Sequence, residues 1–120
     1  PPVEISVTKG IYDTDARLDP ERIQHFCPVR PVSLAALGAD PAVAREALER
    51  AALEVFTAYG CRDLARIDLI WDGHHVMVMG LKTFPGLTET SLVPMAIEAA
   101  GYAVEDVLAQ LVEGALKRGN

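Results

Sequence analysis

A β-hairpin is the clearest element of this sequence, in residues 64–81, LARIDLIWDGHHVMVMGL. The apolar and β-branched residues before position 72 predict one strand, and those from position 75 onward predict a second strand that returns antiparallel to it. Between them, Asp72-Gly73 is typical of a two-residue hairpin turn. We therefore expect a hairpin over residues 64–82, with the other elements packed around it.

Further strands and helices are predicted on both sides of this hairpin. Residues 3–8 alternate apolar and polar types, as a half-buried strand does, and Asp40-Pro41 begins a helix that Gly60 ends. In chain order we expect a strand, an exposed mobile loop (11–22) and a short strand within residues 1–28, a helix at 40–60, the hairpin at 64–82, an anion-type loop at 83–91 and helices within 92–116. This order predicts an α+β fold in which helices pack on one face of an antiparallel sheet.

The composition narrows the class of protein. The 120 residues are 50% hydrophobic with a net charge of −6, which fits one domain over residues 1–120 and excludes intrinsic disorder. No apolar run is long enough for a membrane span, and the acidic balance is unlike the basic face of a nucleic-acid-binding protein. Cys27 and Cys61 show no metal-ligand spacing, so we expect reduced thiols in a cytoplasmic protein with neither nucleic-acid nor membrane partners.

Two segments are candidates for a functional site. Arg66 and Asp68 lie two residues apart on a predicted strand and therefore share one face of it, which indicates either a ligand site or a same-strand ion pair on a solvated face. Residues 83–91, TFPGLTETS, connect a strand to a helix. Hydroxyls and free amides at such a junction favour an anion site, whereas the simpler alternative is helix capping by Thr90 or Ser91.

The histidines and cysteines suggest no chemistry of their own. His74 and His75 are adjacent on the predicted strand and would point to opposite faces, so a surface turn pair is favoured over a shared metal. Neither Cys27 nor Cys61 has a nearby histidine in a base-like arrangement, which favours packing over nucleophilic catalysis.

Several segments together resemble the carboxy-terminal part of D-alanine–D-alanine ligase, a family of the ATP-grasp superfamily. They are residues 59–68 (YGCRDLARID), 83–88 (TFPGLT) and 91–96 (SLVPMA), with residues 2–5, 11–17 and 26–28 at the start. The resemblance covers essentially all 120 residues in order. It implies the carboxy-terminal ATP-grasp fold, and a reaction in which ATP phosphorylates one D-alanine before a second is joined to it, with ATP and Mg²⁺ as cofactors.

The resemblance also implies roles for individual residues. Arg66 matches the arginine that steadies the acyl-phosphate and the tetrahedral intermediate, and Asp68 matches a magnesium-binding carboxylate. Gly86 matches a backbone N–H donor to the oxyanion. Ser91 and Leu92 match contacts to the carboxylate of the second alanine, and Arg17 matches a cation that faces phosphate.

Departures from the family pattern decide the expected function. Gly80 and Lys82 replace a glutamate and an asparagine that bind magnesium, Leu18 replaces a tyrosine, and the family's amino-terminal half has no counterpart in residues 1–120. Lys82 becomes a candidate phosphate contact, and Asp68 a remnant of the metal site.

We expect a degenerate domain that is not catalytic alone and acts as a binding or interaction module or a pseudoenzyme. The alternatives are one half of a split ligase completed by a partner chain, and a structural dimer. Self-association, or a partner that pairs with the edge strand near residues 3–8, is expected in each case, and folding requires no cofactor.

Overall fold

The computed structural model describes residues 1–119. Strands and short helices alternate in the first third of the chain, a long helix precedes the hairpin, and two helices follow it. The elements are β1 (Glu4–Val7), α1 (Thr14–Leu18), β2 (Ile23–Phe26), α2 (Pro31–Ala35), α3 (Pro41–Ala58), β3 (Arg66–Trp71), β4 (Val76–Lys82), α4 (Leu92–Ala99) and α5 (Val104–Gly119). The α+β class is confirmed.

The strands form two separate antiparallel ladders, which corrects the expectation of one sheet. β1 pairs with β2 from Glu4 opposite Phe26 to Val7 opposite Ile23, and β3 pairs with β4. Each strand takes its neighbour along the chain as its partner, and the segment between the two ladders is helical. Each ladder is therefore a local pair of sequential strands, and α2 and α3 connect the two ladders along the chain.

The core lies between α2, α3 and one face of the β3–β4 hairpin. It contains Val29, Leu34, Ala44 and Leu48, with Ala39, Leu69, Trp71 and Val76 packed against them. Alternation along β3 turns Leu69 and Trp71 toward this core, so Arg66 and Asp68 occupy the opposite face. Helices thus cover one face of the hairpin and leave the charged face available for a site.

The predicted start of α3 is confirmed in atomic detail. The Asp40 carboxylate accepts hydrogen bonds from the N–H groups of Ala42, at 3.0 Å, and Val43, at 3.1 Å, and Pro41 occupies the first helical position. These bonds satisfy donors that have no partner inside the helix. This cap fixes where α3 begins and thereby directs Ala44 and Leu48 into the core.

The hairpin turn has four residues instead of the predicted two. Trp71 pairs with Val76, and the Asp72 carboxylate accepts the N–H groups of His74 and His75, at 2.8 and 2.6 Å. This carboxylate satisfies two donors of the turn, and the N–H of Asp72 donates to the carbonyl oxygen of His75 at 3.3 Å, so His75 belongs to the turn and β4 begins at Val76. Both histidines therefore lie in a turn and not on a strand.

The expected loop over residues 11–22 contains a helix, α1. The Asp13 carboxylate accepts the N–H of Ala16 at 2.7 Å, and the side chain of Ala16 is completely buried. The segment has no sustained apolar period, so its helix could not be predicted from periodicity. A cap and one buried alanine stabilise this single turn locally.

The two carboxy-terminal helices complete the domain. α4 ends before Gly101, which has a φ of +88°, and α5 continues past the predicted residue 116. The guanidinium of Arg118 binds both carboxylate oxygens of Asp63 and so ties the end of α5 to the chain just before β3. Within residues 1–119, no helix combines the length and the apolar character needed to cross a membrane.

Candidate functional site

One cavity gathers most of the site residues predicted from the sequence. Its volume is about 280 Å³, and its wall is built by α1, β2, β3, β4, the loop at 83–91 and the start of α4. The lining residues are Tyr12, Arg17, Ile23, His25, Arg66, Lys82, Phe84, Gly86, Thr90, Ser91, Leu92 and Val93. Asp68 is not part of this wall but lies on the same strand face as Arg66.

Arg66 and Asp68 form an ion pair within β3. The Arg66 Nε donates to Asp68 Oδ1 at 2.9 Å, and Nη2 donates to Oδ2 at 3.1 Å. The side chains are 24% and 40% exposed, respectively. The same-strand ion pair that the spacing left open is therefore present, and Arg66 contributes to the cavity wall at the same time.

The neighbouring strand places Gly80 opposite Asp68 and Lys82 opposite Arg66. A Cβ at position 80 would lie 3.6 Å from the Asp68 Oδ2, an ordinary contact distance, so glycine leaves open space beside the carboxylate without being required by sterics. Lys82 brings an ammonium group to the cavity wall. Of the two residues opposite Asp68 and Arg66, Gly80 adds no side chain and Lys82 adds a positive charge, so neither supplies an oxygen ligand.

The Mg²⁺ implied by the resemblance does not fit these residues. Magnesium prefers several oxygen ligands in near-octahedral geometry. Both Asp68 oxygens are hydrogen-bonded to Arg66, and residues 1–119 contain no group of three or more His, Cys, Asp or Glu side chains able to hold a metal ion. A site with one carboxylate, already paired and flanked by cations, disfavours a divalent ion.

The loop at 83–91 turns its hydroxyls toward each other. The Ser91 Oγ accepts the N–H of Thr88 at 3.1 Å and shares a hydrogen bond with the Thr88 Oγ1 at 2.7 Å. Ser91 precedes α4 but makes no side-chain capping bond, so simple capping by Ser91 is not what the structure shows. A Cβ at Gly86 would lie 2.8 Å from the Ser91 Oγ, so any other residue at this position would require the Ser91 hydroxyl to move. The N–H of Gly86 donates to no backbone acceptor among the described residues.

Six residues of the cavity wall were not predicted as individual site residues, namely Tyr12, Ile23, His25, Phe84, Thr90 and Val93. His25 shares the face of β2 with Ile23, and both line the cavity, so the period-two pattern of β2 was the available signal. The Phe84 side chain is 99% exposed at the rim. An exposed aromatic next to a Pro-Gly turn has no sequence pattern that distinguishes it from a core residue.

The cysteines and the adjacent histidines lie outside the cavity. Both cysteines are free thiols, and burial raises the pKa of Cys27, which disfavours the nucleophilic thiolate. The N–H groups of His75 and His74 hold the pKa of Asp72 at about 2, so this carboxylate serves the turn. The absence of nucleophilic and metal chemistry at these residues remains a prediction.

The sequence matches the family described as D-ala D-ala ligase C-terminus over residues 1–113. The chain belongs to this family. The D-alanine–D-alanine ligase of Desulforudis audaxviator is 36% identical over 98% of the chain and 36% of its own length. The ligase of Pelotomaculum thermopropionicum is 34% identical over 98% of the chain and 34% of its own length. The ligase of Erythrobacter litoralis is 34% identical over 95% of the chain and 34% of its own length.

The chain thus spans about a third of the length of the curated relatives that it matches. No solved structure matches it at a significant level. The suspected family and its carboxy-terminal fold are therefore confirmed. The roles of Arg17, Arg66, Lys82, Gly86, Ser91 and Leu92 stay predictions, although the cavity brings these residues together.

Proposed function

We propose that this chain is a non-ligating member of its family, a pseudoenzyme-like module that keeps the cavity for a small anionic ligand and has lost the metal-dependent chemistry. The observation that carries the proposal is the Arg66–Asp68 pair with Gly80 across from it. It leaves no free carboxylate where the family's ligases are expected to hold Mg²⁺. Phosphoryl transfer from ATP relies on metal-neutralised phosphates, and a lysine ammonium supplies one positive charge where two divalent ions are expected.

The remaining residues support binding without turnover. Arg17, Arg66 and Lys82 give the wall positive charge, and Ser91 and Gly86 add a hydroxyl and a backbone N–H. The cavity of about 280 Å³ lies at the low end for small-molecule pockets, so it suits the anionic end of a ligand and not a whole enclosed nucleotide. Neither ATP nor Mg²⁺ is assigned to this chain.

A metal titration tests the proposal directly on the chain itself. We expect Mn²⁺ to cause no site-specific paramagnetic broadening of the amides of residues 66–82 in the unaltered chain. The double variant Gly80→Glu with Lys82→Asn restores two oxygen ligands beside Asp68 and should gain such broadening. The matched control Gly80→Ala with Lys82→Met changes both side chains without adding a metal ligand and should show no such broadening. Specific broadening around Asp68 in the unaltered chain would overturn the proposal.

A second candidate function is ATP-dependent D-Ala–D-Ala-type ligation in which further protein supplies the rest of the site. Two observations favour it. The chain spans about a third of its relatives, and its accessible surface is 8347 Å², against about 6,300 Å² for a folded monomer of 12.9 kDa. The excess, about 2,000 Å², is more than twice the roughly 800 Å² that one partner buries in a standard interface. Exposed apolar side chains such as Ile11, Leu18 and Phe84 contribute to it.

Genetic complementation distinguishes the two candidates. A bacterium lacking D-alanine–D-alanine ligase would receive this chain together with a relative's ligase from which the matching carboxy-terminal third is removed. Growth that depends on this chain would support the ligase function and contradict the non-ligating one. The truncated relative alone is the control for background growth. We expect no growth from the combination.

A further inference from the structure

His25 is a titratable side chain of the cavity wall to which the proposed function gives no role. It lies on β2 opposite Ile5 of β1, and it lines the cavity together with Ile23, which shares its strand face. Among the described residues, its imidazole takes part in no side-chain hydrogen bond or ion pair, whereas the His75 ring lies 3.4 Å from Asp72. The ring nitrogens of His25 are therefore available to a ligand in the cavity.

Contacts on the opposite face of β2 fix the position of this histidine. The next residue, Phe26, has the guanidinium of Arg30 3.5 Å from the centroid of its ring. Phe26 also pairs with Glu4 of β1, whose carboxylate binds the same guanidinium. Successive side chains of a strand point to opposite faces, so anchoring Phe26 on one side directs His25 to the other. The imidazole is thus placed by a paired and anchored strand.

The charged groups that share the cavity wall with His25 are all basic. Arg17 comes from α1, Arg66 from β3 and Lys82 from β4, and no Asp or Glu lines the cavity. Tyr12 is the other titratable side chain of the wall, and the Asp68 carboxylate, on the strand face of Arg66, is hydrogen-bonded to that arginine. An anion held among these cations interacts more favourably with a protonated imidazole than with a neutral one.

We propose that His25 is an additional ligand-binding residue of this cavity, which holds an anion more tightly in its protonated form and thereby couples occupancy of the cavity to pH. The inference rests on the proposed anion-binding function and adds a mode of regulation to it. Histidine is the side chain whose charge ordinarily changes between about pH 5 and 8, whereas arginine and lysine remain charged throughout. Because coupling between two ligands is reciprocal, the bound anion also promotes protonation of His25.

Sulfate is a suitable probe, because its charge stays constant over this pH range whereas that of phosphate changes. Calorimetric titrations would be made at about pH 5.5 and about pH 8, in roughly 0.15 M NaCl to screen distant charges. We expect sulfate to bind about tenfold more tightly at the lower pH, the effect of one added charge-assisted hydrogen bond. In NMR spectra, sulfate should keep the His25 ring protons at their protonated chemical shifts up to a higher pH.

Substitutions at position 25 separate the proton on His25 from every other titrating group. His25→Gln keeps a hydrogen-bonding side chain without a titrating charge and should bind sulfate weakly and equally at both pH values. His25→Lys carries a lasting positive charge and should bind at the higher pH as tightly as the unaltered chain does at the lower one. The matched control His74→Gln, in the exposed hairpin turn outside the cavity, should retain the full pH dependence. Thermal unfolding of each variant verifies that it is folded.

The outcomes distinguish this inference from the function on which it rests. Equal sulfate binding by the unaltered chain at both pH values would overturn the role of His25 and leave the anion-binding function standing. A pH dependence that persists in His25→Gln would do the same, because another group would then carry the proton. Absence of sulfate binding at either pH would overturn the anion-binding function together with this inference.

Discussion

Arg30 binds both carboxylate oxygens of Glu4, with Nη2 2.7 Å from Oε1 and Nε 3.2 Å from Oε2, and thereby joins the start of α2 to β1. The backbone N–H of Arg30 and the Ser33 hydroxyl also donate to Glu4, and the guanidinium lies 3.5 Å from the centroid of the Phe26 ring. The Glu4 side chain is only 14% exposed. Strand β1 is therefore tied to the helical part of the domain mainly through one carboxylate.

This arrangement predicts an acid-sensitive contribution to stability. The hydrogen bonds from Arg30 hold the pKa of Glu4 at about 2, below its ordinary value of 4.5. Because the folded-state pKa is the lower one, the contribution is present above pH 4.5 and is lost as the pH falls toward 2. Glu4→Gln should lower the free energy of unfolding by about 2 kcal/mol near pH 7, as measured by urea unfolding.

The difference between Glu4→Gln and the unaltered chain should shrink steadily as the pH falls below 4.5. Glu46→Gln, at an exposed position of α3, is the matched control and should shift stability by less than about 0.5 kcal/mol. A difference independent of pH would show that the carboxylate charge is not the source of the effect.

A side chain at position 73 should destabilise the fold for two reasons, its backbone conformation and a steric overlap. Gly73 has a φ of +100°, and a Cβ there would overlap the backbone carbonyl oxygen of Leu37. Gly73→Ala should therefore cost about 1 kcal/mol for the backbone conformation and roughly 1–3 kcal/mol more for the overlap. Gly38→Ala isolates the first effect, because Gly38 has a φ of +82° and a Cβ there would meet nothing within 4 Å. Equal losses in chemical denaturation would contradict the predicted contact.

The outer edge of β1 predicts association that depends on concentration. β1 pairs with β2 alone among the described strands, and the N–H of Thr8 bonds to the carbonyl oxygen of Arg22. The alternation of an antiparallel ladder then turns the N–H groups of Ile5 and Val7 outward. If copies of this chain pair along β1, sedimentation should show a mass that rises with concentration.

Hydrogen exchange locates that association. The amides of Ile5 and Val7 should become protected only at high concentration, whereas the amide of Ser6 should be protected throughout. A monomer at every concentration, with Ile5 and Val7 exchanging freely, would rule out pairing of copies along β1. Concentration-dependent mass without this protection would assign the association to another surface.

The Asp63–Arg118 ion pair predicts a modest coupling between α5 and the start of the hairpin. Asp63 has a φ of +66°, which asparagine also tolerates, so Asp63→Asn removes the charge without new backbone strain. We expect a coupling energy below about 1 kcal/mol with Arg118→Met in a double-mutant cycle, because both side chains are partly exposed. A larger value would mean that this ion pair anchors α5 more firmly than its exposure indicates.

Structural features that depend on residues close together in the sequence could be predicted from the sequence. Asp40 and Pro41 identified the start of α3, and the spacing of Arg66 and Asp68 identified their shared face. The helix α1 and the four-residue turn were missed because each depends on one carboxylate, of Asp13 and Asp72, finding particular amides. Such bonds compete with other turns of similar free energy, and a hydrophobic pattern does not resolve that competition.

The amino-acid sequence by itself determined the family, the strand and helix types, and the presence of Gly80 and Lys82 where metal ligands are expected, because these follow from residue identity and local periodicity. Only the tertiary structure decided that the Asp68 carboxylate is hydrogen-bonded to Arg66 and that Arg17 and Lys82 line the same cavity. The physical reason is that residues far apart along the chain converge through the packing of whole elements. Their charges then gain or lose partners according to that packing.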